Sequence, residues 1–336
     1  ADKREVMLTG FARSNPQHNL NNPMLGLDNW IYLAHESSIS TKFFEKEFGD
    51  KGNQISFPQH PEAAQLDQNA HGRNVRFNPN KLMIEELSGE SQFGQTFDQW
   101  GHHLLTSNAH HLFHEVIQAP YAHRNPALFL PDATANVPDH GNACEIFPIT
   151  QNPEHQLLTD VGVITSSCGV TWYTGGLFPA PFQQVAFVAE PVHNLVHADI
   201  IQPEGSTFKA SRLLEGREFL ASKDAWFRPV NFYIGPEGAL YVIDYHRQII
   251  EHPEWMSDEV NESGALYNGN DKGRIYRIVP ENTPQIPFPG GQNLTDADEY
   301  VWLHALESPN SWWRRQAQQL LLNSPIPYID ELLFDF

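Results

Sequence analysis

The chain has 336 residues and sets 21 Lys and Arg against 41 Asp and Glu, a formal charge of −20. That balance repels phosphate backbones and argues against nucleic acid as a partner. Charged residues are only 18% while aromatics reach 12%, with 25 Pro and 22 Gly, which fits a loop-rich β protein rather than a disordered chain or a coiled coil.

In chain order, the start ADKREVMLTGF has no basic-then-apolar signal segment, so a secretory signal would have to be removed or lie upstream. His18 follows in a turn-rich stretch, eight positions before Gly26. From there one pattern recurs, a Gly/Asp/Asn/Pro turn leading into an aromatic-rich alternating strand. It appears at GLDNWIYLAHE from Gly26, GQTFDQWGHHLLTSN from Gly94, a divergent GVTWYTGG from Gly169, GPEGALYVIDYHRQI from Gly235 and GRIYRIVP from Gly273. Turn-and-strand units every ~40 to 75 residues, with long irregular connections, predict blades of a β-propeller.

Within the second unit, His102, His103, His110, His111 and His114 crowd together. His110 and His114 would share a face only on a helix, whereas the segment reads as strand, turn, strand with His111 and His114 on opposite faces. No metal site is expected from this spacing. The acidic EHPEWMSDEV and TDADEY lack the alternating oxygen register of a calcium loop. GNDKGRIYRIVP reads as a tight turn into a closing strand.

The tail changes character after the Pro-rich PENTPQIPFPGG. Thr295 is a candidate helix cap with Asp298 three residues on, and Trp313, Ala317, Leu320 and Leu321 share a helical face. A propeller over 1–280, a linker over 281–294 and an α-helical hairpin over 295–336 are the expected divisions. A lone pair of helices buries its stripe only against a neighbour, so it docks on the propeller or opens a helical-repeat array. Cys144 and Cys168, 24 positions apart with no Cys-x-x-Cys nearby, leave a structural disulfide or two buried thiols, the disulfide being expected. Such a loop would contribute roughly 3–4 kcal/mol and point to an oxidising compartment. No apolar run reaches the ~18 residues that a membrane helix needs.

TGFARSNPQHNLNNPMLGLDNWIYLAHE, TSSCGVTWYTGG, FVAEPVHNLVHADII and above all WFRPVNFYIGPEGALYVIDYHRQIIEHP resemble the membrane-bound dehydrogenases of planctomycete type. In those proteins a propeller similar to soluble quinoprotein glucose and sorbosone dehydrogenases precedes HEAT-like repeats. The resemblance implies an all-β fold with a six-bladed propeller, incomplete here on its N-terminal side, and a C-terminal hairpin like a HEAT-like repeat. It places His18 where the sugar dehydrogenases keep the base that takes a proton from the sugar hydroxyl, a step suited to an unperturbed imidazole. Pyrroloquinoline quinone and calcium are the cofactors it implies, with Arg228 and Arg247 as cofactor-binding cations. The family's Arg-Asn-Pro-x-Gly turn, however, reads Glu90-Ser91-Gln92-Phe93-Gly94. A carboxylate there repels a trianionic quinone by an amount on the order of a few kcal/mol.

Cys-x-x-Cys-His is absent from the sequence, so no covalent haem is expected in this chain. Two functions follow. One is a periplasmic or extracellular oxidoreductase acting on a sugar or alcohol and passing electrons to a cytochrome. The other is a non-catalytic scaffold or accessory subunit of a membrane-attached electron-transfer complex.

Overall fold

The computed structural model describes residues 3–38, 44–125, 127, 132–150, 161–283 and 293–336. Four antiparallel sheets follow one another along the chain, each containing one of the turn-and-strand units from Gly26, Gly94, Gly169 and Gly235. Blade one comprises β1 (Asn21–Leu25) and β2 (Ile31–Ala34), a small side hairpin of β3 (Gln54–Ile55) and β4 (Leu66–Gln68), then β5 (Val75–Asn78) and β6 (Met83–Glu86), in the order β1-β2-β5-β6. Blade two is β7 (Gln95–Phe97), β8 (His103–Ser107), β9 (His110–Glu115) and β10 (Thr134–Asn136). Blade three is β11 (Cys168–Trp172), β12 (Val185–Glu190), β13 (Leu195–Glu204) and β14 (Thr207–Arg212), with β15 (Leu220–Ala221) paired to β13. Blade four is β16 (Pro229–Ile234), β17 (Leu240–Asp244) and β18 (Arg274–Ile278).

The turns explain why the units were legible. In blade one Asp28 accepts from the Trp30 amide and from the Tyr32 hydroxyl, and Gly26 N–H donates to the Trp30 carbonyl. Blade four repeats the acid-to-tyrosine bond, Tyr241 donating to Glu237 at 2.6 Å. Blade two uses Asp98, which accepts from the amides of Trp100 and His102.

The inner strands pack in sequence, β1 on β7, β7 on β11 and β11 on β16. Their approach is tight at Gly169, where φ is +60° and a Cβ would stand 2.6 Å from Asn231 Cα. Only glycine meets both demands cheaply. Apolar cores fill the junctions. Leu104, Leu112, Val170, Trp172 and Phe208 join blades two and three, and Phe187, Phe232, Leu240 and Val242 join blades three and four. Alternation along β13 serves both junctions, with Val196 and Ala198 facing blade four and His197 and Asp199 facing blade two.

This propeller arrangement corrects the expected blade number, since four blade sheets stand among the described residues rather than six. Blades one and four are bridged directly. Short helix α1 (Glu45–Phe48) carries Phe48 against His252 and Trp255, and Gln17 donates to Glu251 at 2.7 Å. Two further short helices, α2 (Ala119–Ala122) and α3 (Asp258–Ser263), lie in connections.

The tail forms α4 (Glu299–Leu306), α5 (Ser311–Leu322) and α6 (Ile329–Asp335). Asp298, not Thr295, caps α4, accepting from Val301 N–H, because Thr295 is taken into a preceding turn capped by Asn293. Trp313, Ala317 and Leu321 are buried and Leu320 packs against their core, as the helical period predicts. Helix α5 lies across the turns that follow the inner strands. Gln318 donates to Leu27 O, Ser311 N–H to Thr174 O, and Asn310 and Trp313 to Pro236 O. The hairpin therefore docks on one end of the propeller. Residues 284–292 of the expected linker lie outside the described residues. No described helix is long and apolar enough to cross a membrane.

Cys144 and Cys168 are both free and buried, which corrects the expected disulfide. They belong to different cores, Cys144 with Ile146, Ile164 and Leu195, and Cys168 with Tyr173, Phe187 and Phe232. Burial pushes the Cys144 thiol up to about 12 and raises that of Cys168 further.

Candidate functional site

His18, Arg228 and Arg247 all come to the end of the propeller opposite α5. His18 and Arg228 precede inner strands β1 and β16, and Arg247 follows β17. Pro16 starts the short turn that carries His18, with Asn15 accepting from Gln17 N–H as its cap. His18 is 7% exposed, and its Nδ1 lies 2.6 Å from Glu36 Oε2, an ion-pair approach without hydrogen-bond alignment. Its Nε2 is 3.5 Å from the amide nitrogen of Gln92.

Glu36 also accepts from Ser107 Oγ at 3.3 Å, and Glu90 is reached by Ser37. Burial, and then the charge of Glu36, raise the Glu90 pKa above the ordinary carboxylate value. Both carboxylates line a cleft of about 870 Å³ shared with Arg73, Glu86, Ser107 and His110. Buried His18 thus lies behind Glu36 of the cleft wall, and the carboxylates of that wall can accept hydrogen bonds from hydroxyl groups.

The two arginines are otherwise engaged. Arg228 is 3% exposed, and its guanidinium donates to the carbonyls of Arg247, Pro191, Val192 and Gln248. Burial pulls its pKa down to about 10. Its backbone amide, not its guanidinium, meets Asp244. Arg247 donates to the carbonyls of Tyr245, His246 and Gly269 and stacks 4.2 Å over the Tyr245 ring. Arg228 fastens the loop after β17 to the turn between β12 and β13, and Arg247 turns Nη1 to the main chain of its own loop and of Gly269. The grip on pyrroloquinoline quinone that the resemblance implies is not formed by these residues, since Arg228 and Nη1 of Arg247 are turned to main chain and the cation on the cleft, Arg73, stands beside Glu86 and Glu90.

The histidine-rich strands serve the blade junctions. His103 donates or accepts at both nitrogens, 2.7 Å from Glu115 and 2.9 Å from Gln95, while Glu115 also accepts from Ser88 and Gly89 N–H of the blade-one connection. His111 Nε2 is 3.0 Å from Asp199, and His114 meets Thr207 and Phe208. Both reach blade three although three positions separate them. The β8–β9 pairing slips between Leu105 and Ser107, and such a bulge re-aims neighbouring side chains.

Sequence reading missed the company His111 keeps. His140, Cys144 and His197 join it, each offering a donor atom within 4.8 Å of the others. They come from three segments far apart in sequence, so no short motif marks them. The one visible signal was a histidine and an aspartate, at 197 and 199, in the otherwise apolar first half of β13. Burial disfavours the charges here, yet Asp199 and Glu218 carry His197 up to about 9, and His197 and His111 hold Asp199 well below the usual carboxylate range.

A family described as a domain of unknown function, DUF7133, matches residues 1–282. This chain belongs to the DUF7133 family. No curated protein matches it. Among solved structures, the DUF7133 chain is similar to an oxidoreductase of Thermus thermophilus described as a glucose dehydrogenase, at 12% identity and TM-score 0.41, over 79% of this chain and 67% of that one. It is also similar to the soluble aldose sugar dehydrogenase of Escherichia coli in the apo form, at 14% identity and TM-score 0.33, over 71% and 82% of the two chains. A further glucose dehydrogenase matches at 15% identity and TM-score 0.31, over 68% and 78%. At TM-scores below 0.5, blade number and chemistry are read from the DUF7133 chain itself.

Proposed function

We propose that this chain is a quinone-free propeller subunit of a periplasmic, membrane-attached electron-transfer assembly, docked by charge to a cationic protein such as a cytochrome. The observation that carries the reading is the state of the two arginines. Both guanidinium groups bond main-chain carbonyls, while Glu36 and Glu90 place carboxylates beside His18. A trianionic quinone meets repulsion there. The formal charge of −20 supports docking to a cation, which speeds encounter at low salt and fades as salt screens it.

The test has two readings on one preparation. Native protein titrated with pyrroloquinoline quinone and calcium is expected to show no bound-quinone absorbance, and immobilised protein is expected to retain a cationic cytochrome c at low salt and release it at high salt. Stoichiometric quinone binding with aldose oxidation, or no salt-dependent retention, would overturn the proposal.

The 2.6 Å approach of His18 Nδ1 to Glu36 favours a second reading. An imidazole beside a carboxylate is the pairing a general base uses, and with Glu36 turned into alignment His18 would take the proton of a bound sugar or alcohol hydroxyl. The electron acceptor would then belong to another chain. Loss of an aldose-dependent activity in His18→Gln with unchanged thermal stability would support this reading, and equal activity in both proteins would end it.

A further inference from the structure

Three histidines at the junction of blades two and three share one plan. His111 sets Nε2 against Asp199 Oδ2 at 3.0 Å, His140 sets Nδ1 against Asp139 Oδ1 at 3.1 Å, and His197 sets Nδ1 against Glu218 Oε2 at 2.8 Å. Each imidazole is thus held by a carboxylate at one nitrogen, which is how metal-bound histidines are oriented by their outer neighbours. The other nitrogens are the telling ones. His111 Nδ1 and His140 Nε2 are buried without a hydrogen-bond partner, and the His111 side chain is 0% exposed. Leaving buried atoms unpaired is costly, and among the described residues His111 Nδ1 has no hydrogen-bond partner while His140 Nε2 has only a 3.5 Å ion-pair approach to Asp199 Oδ1. His197 Nε2 rests on Asp199 Oδ1 at 3.1 Å.

We propose that His111, His140, His197 and Cys144 form a closed site for one divalent ion of the zinc class, which fastens blade two to blade three. The geometry is close to what such an ion needs. The ring centroids stand 5.2, 5.2 and 5.5 Å apart, and three imidazoles on a tetrahedral zinc with bonds of about 2.0 Å place their centroids roughly 5 Å apart. The four donor atoms lie within 4.8 Å of one another, against edges of roughly 3.3–3.7 Å in a tetrahedral N₃S site, so closure takes movements of about 1 Å. Three imidazoles and a thiolate select zinc or cobalt over calcium, which takes oxygen ligands.

The backbone already fixes the ligands. The connection after β10, which carries His140 and Cys144, is tied to blade three by Asp139 N–H to Ala210 O and Ala210 N–H to Val137 O, and to blade two by Ala143 N–H to Ala109 O. Asp139 is itself held by Ser211 Oγ at 2.6 Å. His111 comes from β9 and His197 from β13, so the ion would link side chains of two blades and the connection between them. Four protein ligands in a buried setting make the site structural rather than catalytic.

The full chain, stripped with chelator, is titrated with Co²⁺. Saturation at one equivalent is expected, with the ligand-field bands of tetrahedral cobalt and a thiolate-to-cobalt charge-transfer band. One equivalent of Zn²⁺ is expected to displace the cobalt and to raise the thermal midpoint of the stripped protein. Cys144→Ser should abolish the charge-transfer band, while Cys168→Ser, in another core, should retain it. Zinc-edge X-ray absorption of the wild-type chain, which needs no variant to fold, should read three nitrogens and one sulfur. Failure to take up either ion, an all-oxygen or octahedral spectrum, or a charge-transfer band that survives in Cys144→Ser would overturn the proposal.

Discussion

The His18 end and the junction of blades two and three use the same parts, imidazoles against carboxylates, and arrange them differently. At the His18 end a buried histidine stands behind Glu36, which with Glu90 lines a wide cleft. At the junction three histidines converge in a sealed interior, each with its own carboxylate. An open arrangement keeps its groups within reach of a ligand or partner, whereas a sealed one commits them to holding the fold. The same residue types thus carry opposite expectations, and substitution separates them.

The largest effect belongs to the sealed region. Asp199→Ala leaves His111 and His197 facing a void without their shared acceptor, and loss of about 3–5 kcal/mol in urea unfolding is expected for breaking a buried pair. A loss below about 1 kcal/mol would show that the junction is held by its apolar core alone. Next comes Arg228→Lys at the open end. Lysine cannot span the four carbonyls that the guanidinium reaches, so stability should fall by about 2–3 kcal/mol. If stability were unchanged, Arg228 would be free for a ligand after all.

A third effect follows from pH. Burial lowers the His114 pKa to about 4, with the neighbouring His102 and His103 adding to it and Glu115 and Asp98 opposing. The folded value is below the unfolded value near 6.5, so the unfolded chain binds the proton first. Stability is therefore present above about pH 6.5 and lost as pH falls toward 4, by on the order of 2 kcal/mol from this group. In His114→Gln, which still packs near Thr207 and Phe208, the acid limb of the stability profile should flatten by that amount. The smallest effect is Glu36→Gln. Its carboxylate is partly exposed beside His18, and about 1 kcal/mol or less is expected.

Much of the fold was legible because its punctuation is local. Gly26 and Gly235 sit in hairpin turns whose acids, Asp28 and Glu237, bond the next few residues, Asp98 does the same in blade two, and that chemistry needs no tertiary context. The same holds for α5, whose 3.6-residue stripe already names Trp313 and Ala317 as core. What was not legible depends on distance. Cys144 and Cys168 look like a pair by spacing, yet the connection between blades two and three sends them to separate cores. Blade number was taken from a resemblance, whereas the contacts of α1 with His252 and Trp255, and of α5 with the turns of blades one and four, join residues too far apart in sequence to be read from it.

At the site, His18 was singled out through the resemblance, by its place before the first blade turn, whereas the partners of Arg228 were hidden, since carbonyls leave no trace in a sequence. The four clustered donors were hidden for a related reason. Their spacing is set by the packing of two sheets, and the strand reading of residues 102–114 treated each histidine against its own strand only.

Elemental analysis of the purified full chain beside its Cys144→Ser and His18→Asn variants tests the contrast between the two regions most directly. About one zinc per chain is predicted in the wild type and in His18→Asn, with none retained by Cys144→Ser. A wild-type chain without metal, or metal kept by Cys144→Ser and lost by His18→Asn, would contradict it.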